Sequence, residues 1–177
     1  MSRPLLNTQI RTVQETGIAG RVALEFLAAT NAVAFHGTDA ANLRMLHPRQ
    51  ALLYDERARK RVPSGNPAVH ATTNVDLAIF FALTRLGDVR NRLPQYVWGF
   101  DVRGDTIKLY ASIAVIDEAS DPGRSAWVYV LDRRKFRSRD VAVLTSARPV
   151  SPLLAVRVTG IDFPTGILVE PRDLRAA

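Results

Sequence analysis

The chain has 177 residues, 47% hydrophobic and 23% charged, an ordinary globular composition that excludes disorder and fits one domain. It has no cysteine, which excludes a disulfide scaffold, a thiol nucleophile and a cysteine-based zinc or iron–sulfur centre. Its 24 Lys and Arg against 17 Asp and Glu give a net charge of +7, a balance that points to anionic partners.

The opening Met1-Ser2-Arg3-Pro4 lacks the apolar core of a secretory signal. The longest strictly apolar run, Leu77 to Leu83, is far short of the about 20 residues a membrane span needs. A cytoplasmic protein without a membrane contact is therefore expected.

Residues 12–30 carry apolar side chains at Val13, Ile18, Val22, Leu24, Phe26 and Leu27, interrupted by Gly17 and Gly20. A helix starting near Gly20 follows. Val33-Ala34-Phe35 reads as a buried strand, His36-Gly37-Thr38 as a turn, and residues 39–43 as a short helix. The stretch 46–67 reads as irregular, because Pro48, Pro63, Gly65 and Pro67 break it. Residues 68–72 form a strand end. Asn74 then caps a helix over 75–86, whose apolar positions include Leu77, Ile79, Phe80 and Leu83. From Gln95 onward the texture is that of strands, at 96–102, 106–114, 127–131, 141–144, 153–158 and 166–169. Helices precede strands without βαβ alternation, which predicts an α+β fold with a mostly antiparallel sheet or two packed sheets.

The positive charge is local. Arg57, Arg59, Lys60 and Arg61 form one cluster, and Arg133, Arg134, Lys135, Arg137 and Arg139 form another. Without those nine the chain carries 15 basic and 17 acidic residues. Two arginine-rich segments suit bidentate phosphate contact, so nucleic acid is a candidate partner; solvated loops are the alternative.

The three histidines are His36, His47 and His70. Two of them end predicted strands and precede a small residue and a threonine: His36-Gly37-Thr38 and His70-Ala71-Thr72. A strand end followed by glycine lets main chain approach a ligand closely, and an imidazole there can hold a ribose hydroxyl. No HExxH, P-loop or G-x-S-x-G motif is present.

Phe35-His36-Gly37-Thr38, then Val69-His70-Ala71-Thr72, then Asp76-Leu77-Ala78-Ile79-Phe80-Phe81-Ala82 resembles the NAD-dependent ADP-ribosyltransferase superfamily. Trp127-Val128-Tyr129-Val130-Leu131 and Thr145-Ser146-Ala147-Arg148-Pro149-Val150 are similar to the later segments of its smaller bacterial members. The resemblance implies a single ADP-ribosyltransferase-like domain over residues 1–177, with two small, packed, mostly antiparallel sheets and flanking helices. It implies NAD as substrate, a nucleic-acid or protein acceptor, and a role such as a bacterial toxin or defence effector with an antitoxin or target protein as partner.

Residue by residue, the resemblance implies that His36 holds the nicotinamide-side ribose and that Gly37 binds the carboxamide through its main chain. His70 stacks on the nicotinamide ring, Thr72 supports that strand end, Thr38 joins the cofactor-binding set, and Phe80 or Phe81 lines the pocket, the alternative for an aromatic on such a helix being the core. Many members carry a Glu in the third motif; here the corresponding positions hold Val143 and Arg148. Arg148 is the catalytic candidate by place, yet its sign is wrong beside a developing oxocarbenium. Asp117, Glu118 and Asp140 are the carboxylates nearby in sequence. The pattern of His36, His70 and Val143 resembles the RNA 2′-phosphotransferase branch, whose phosphate acceptor brings its own negative charge. The alternative is an inactive module of the same fold that binds NAD, ADP-ribose, nucleic acid or a protein partner.

Overall fold

The computed structural model describes residues 3–55, 60–84 and 98–169. Among them, four helices and ten strands follow in the order α1 (Arg3–Thr16), α2 (Gly20–Ala28), β1 (Val33–Thr38), β2 (Arg49–Asp55), β3 (Lys60–Ala71) and α3 (Val75–Thr84). Then come β4 (Trp98–Arg103), β5 (Thr106–Ala111), α4 (Ile113–Ala119), β6 (Ser125–Asp132), β7 (Arg137–Ser138), β8 (Leu144–Ser146), β9 (Leu154–Thr159) and β10 (Leu168–Val169). The architecture is α+β. No helix among the described residues is long and apolar enough to cross a membrane.

The strands form three small sheets, where two were expected. β6 lies between β1 and β9, antiparallel to both. β3 lies between β2 and β8, and β7 completes that four-stranded sheet. β5 pairs with β4 antiparallel and with β10 in parallel.

α3 is the central helix. Its residues from Leu77 to Thr84 are buried except Phe81, which is partly exposed. A helix apolar all round must be enclosed, and α3 is covered by α2, α4, β1 and β6. Asn74 starts it as expected: its Oδ1 accepts the Leu77 amide at 2.8 Å. Gly37 permits the close approach of β1, because a Cβ there would collide with the main chain of α3 at Ala78 and Ala82.

Side chains on β1 alternate between two cores. Val33 and Phe35 join the main core with α3. Ala34 joins a second core with Tyr129, Leu131, Val69, Ala71, Leu144 and Val150. That second core fills the space between β1–β6–β9 and the four-stranded sheet.

His36-Gly37-Thr38, expected as a turn, is the second half of β1, and the strand expected over 141–144 lies at Leu144–Ser146. Three further expectations need correction. Residues 39–43 form no helix; the segment is an irregular loop with Asn42 at positive φ, held by the Tyr129 hydroxyl. The 46–67 stretch, expected to be irregular, holds the β2–β3 hairpin with a register shift between Arg49 and Ala51. Its prolines are tolerated because β8 pairs with β3 only over Val69–Ala71, leaving one edge of the preceding residues without a ladder partner among the described residues. The strand expected over 106–114 stops at Ala111, and α4 begins at Ile113.

Candidate functional site

The two histidine-bearing strands meet. Phe35 and Thr72 form an isolated antiparallel bridge, with Phe35 N donating to Thr72 O at 2.7 Å and Thr72 N to Phe35 O at 2.9 Å. In an antiparallel ladder the next doubly bonded pair would be Gly37 and His70. That pair does not form. The His36 ring takes the position instead, with Nδ1 2.7 Å from the His70 carbonyl oxygen.

This contact sets the ring's protonation. A carbonyl oxygen only accepts, so Nδ1 carries the hydrogen. In the neutral ring the lone pair is then on Nε2. The same interruption frees β1 from β3 beyond Phe35. Main-chain groups alternate along a strand, so the Gly37 N–H points to the same edge as that of Phe35, into the opened gap.

The contact joins a ring to main chain, not two rings. Ala34 and Tyr129 (opposite His36) lie in the second core, so the His36 side chain lies on that face. Val69 and Ala71 also lie there, so His70 lies on the opposite, α3-facing side. Both residues are half-buried, and the His70 Nε2 is itself buried.

Thr38 and Thr72 are buried, and their hydroxyls serve local turns. Thr38 Oγ1 accepts the Ala40 amide at 3.2 Å, and Thr72 Oγ1 accepts the Asn74 amide at 3.0 Å. They hold the strand ends in place. Phe80 is 0% exposed and stacked on Phe163, so it belongs to the core and not to a pocket wall. Phe81 packs edge-on against Trp98 and Phe100 in the same aromatic cluster.

Arg148 sits away from the junction. β8 runs antiparallel to β3 with Leu144 opposite Ala71 and Ser146 opposite Val69, so residues after Ser146 lead away from Thr72. Arg148 is exposed, and its main chain bonds to Ser146 Oγ. Val143, just before Leu144, is on the junction side and packs against the main core. Of the nearby carboxylates, Asp140 Oδ1 accepts the amides of Ala142 and Val143, each at 2.8 Å. Glu118 pairs with Arg124 at 3.4 Å, and Asp117 is exposed on α4.

In the second basic cluster, Arg134 is bound to Asp132 through both oxygens, at 3.0 and 2.7 Å. Arg133 donates to Asn31 O at 3.3 Å. Lys135, Arg137 and Arg139 are exposed. Of the first cluster, Arg57 and Arg59 lie outside the described residues, while Lys60 and Arg61 are in β3 opposite Asp55 and Tyr54.

A recess of about 230 Å³ opens beside the start of α3, lined by Asn74, Asp76, Lys108, Thr165 and Gly166 among others. Neither His36 nor His70 lines it. It is smaller than the roughly 300–1,000 Å³ usual for ligand pockets. The backbone junction at His36 and His70 thus carries more chemical definition than this recess. Comparison with family models, curated proteins and solved structures returns no match, and the chemistry of the site is read from its own geometry.

Proposed function

We propose that the chain is an NAD-dependent transferase of the ADP-ribosyltransferase fold, acting on a nucleic-acid or protein acceptor. The observation that carries this reading is the His36–His70 junction: an imidazole fixed by its Nδ1–H on a strand end, beside a glycine amide turned into a gap. The resemblance gives this ring, held by its Nδ1–H on the His70 carbonyl, the nicotinamide-side ribose. The Gly37 main chain suits a carboxamide, which needs one donor and one acceptor.

The reaction asks little covalent chemistry of the protein. The bond between the ribose anomeric carbon and the nicotinamide nitrogen breaks, and nicotinamide leaves with the electron pair. The acceptor's nucleophilic oxygen or nitrogen then bonds to that carbon and loses its proton. The chain's part is to orient the ribose, hold the carboxamide and exclude water. A phosphate acceptor would supply its own negative charge beside the oxocarbenium. That fits a third motif carrying Val143, just before β8, in place of a carboxylate.

A second reading, an inactive module that binds NAD or ADP-ribose, is favoured by one observation. Asp140 holds two main-chain amides with its Oδ1, and the half-buried Val143 packs against the core in the place of a carboxylate. The test is nicotinamide release from NAD, with RNA, DNA or protein as acceptor, for wild type and His36→Ala. Release that falls about a hundredfold in the variant supports the transferase. NAD binding without release supports the module. Neither binding nor release overturns both.

A further inference from the structure

We propose that Arg137, with Thr145, forms a phosphate subsite that extends the His70 face of the site. This rests on the dinucleotide reading of that same site and assigns its anionic end. The argument is one of register. His70 lies directly opposite Thr145 on β8, and Thr145 lies directly opposite Arg137 on β7. Residues paired in this way point to the same face of a sheet. Burial agrees: Val69, Ala71, Leu144 and Ser146 are buried on the other face, whereas His70 and Thr145 are half-buried and Arg137 is exposed.

A row of imidazole, hydroxyl and guanidinium therefore crosses three strands on one face. With strands about 4.8 Å apart, the Cα atoms of His70 and Arg137 are roughly 10 Å apart. Where the ladder would continue, Gly37 of β1 takes the next place beyond His70, so the displaced amide marks one end of the row and Arg137 the other. A ligand with its amide-bearing ring against His70 directs its phosphates across the strands toward Thr145 and Arg137; on this face Gly37 lies against α3, and the His36 ring is on the other.

Arg137 is suited to that role in a way its neighbours are not. Arg134 is already neutralised by Asp132, and Arg133 is turned to Asn31. Among the described residues Arg137 has no carboxylate partner, and a guanidinium binds phosphate through two parallel N–H groups. Phe136, just before it, packs against the second core and anchors the strand.

The test is calorimetric titration of ADP-ribose, and separately of a single-stranded oligonucleotide, into wild type, Arg137→Gln and Lys135→Gln. Lys135 is an exposed cation of the same cluster outside the row. We expect Arg137→Gln to weaken ADP-ribose binding about tenfold and Lys135→Gln to change it less than about twofold, with melting temperatures unchanged. Arg137→Gln binding ADP-ribose as wild type does overturns the subsite and leaves the dinucleotide reading standing. A loss confined to the oligonucleotide assigns Arg137 to a nucleic-acid surface and also overturns the subsite. Wild type that binds no ADP-ribose takes both away.

Discussion

The His36 imidazole sits on the His70 carbonyl where the Gly37 amide would sit if β1 and β3 continued their ladder. One side chain thereby takes a place in the strand pairing and sets which of its own nitrogens carries the hydrogen, through one 2.7 Å contact between residues 34 apart in the chain. The Gly37 amide faces the same gap because main-chain groups alternate along β1.

Gly37 carries two constraints at once, its amide at the gap and its Cα against α3. Gly37→Ala places a methyl group into the main chain of Ala78 and Ala82, which cannot yield as a side chain would. Overpacking of this kind costs about 1–3 kcal/mol. Urea denaturation should show a lower midpoint; an unchanged midpoint would mean that β1 and α3 are not this close.

The loop after β1 depends on Tyr129. Its hydroxyl accepts the Leu43 amide and donates to the Ala40 carbonyl, both at 2.9 Å, from a ring that is 1% exposed. Tyr129→Phe leaves two main-chain groups without that partner, at a cost of about 1–3 kcal/mol. Hydrogen exchange at Leu43 should accelerate with the loss of stability. Protection equal to wild type would contradict the tether.

Asp132 predicts an acid dependence. Hydrogen bonds from the Arg134 side chain, outweighing burial, hold its carboxyl below the usual value of 3.8. The folded group thus ionises at lower pH than the unfolded one. Its stabilising effect is fully present above the ordinary aspartate range and is lost as pH falls through the lowered value. The Arg134 side chain is 64% exposed, so added salt should shrink the effect. Melting temperatures of wild type and Asp132→Asn should differ at pH 7 and converge in acid. A gap that stays constant with pH would remove the ion pair from the account.

Local signals suffice for some of this molecule. Asn74 with the apolar run after it specifies α3, because a cap and a continuous hydrophobic stretch act within one turn of each other. The β-branched and aromatic run of β6 likewise reads directly as a buried strand. The β2–β3 hairpin does not, since Pro63, Gly65 and Pro67 signal a break. Among the described residues one edge there has no ladder partner, and that makes them acceptable. Phe80 and Phe81 are legible as apolar, yet whether an aromatic faces a ligand or Phe163 and Trp98 depends on what packs there.

The candidate site divides in the same way. That His36 and His70 lie on strands is written in the order of residues, since strand preferences are local, whereas the turn expected at His36-Gly37-Thr38 is overruled by pairing with β6, which carries β1 on to Thr38. That they meet through a ring and a carbonyl, on opposite faces, is not, because it follows from strands 34 residues apart being bridged at Phe35 and Thr72. The alignment of His70 with Thr145 and Arg137 is likewise a property of register between distant strands, and a shift of one residue would send each side chain to the other face.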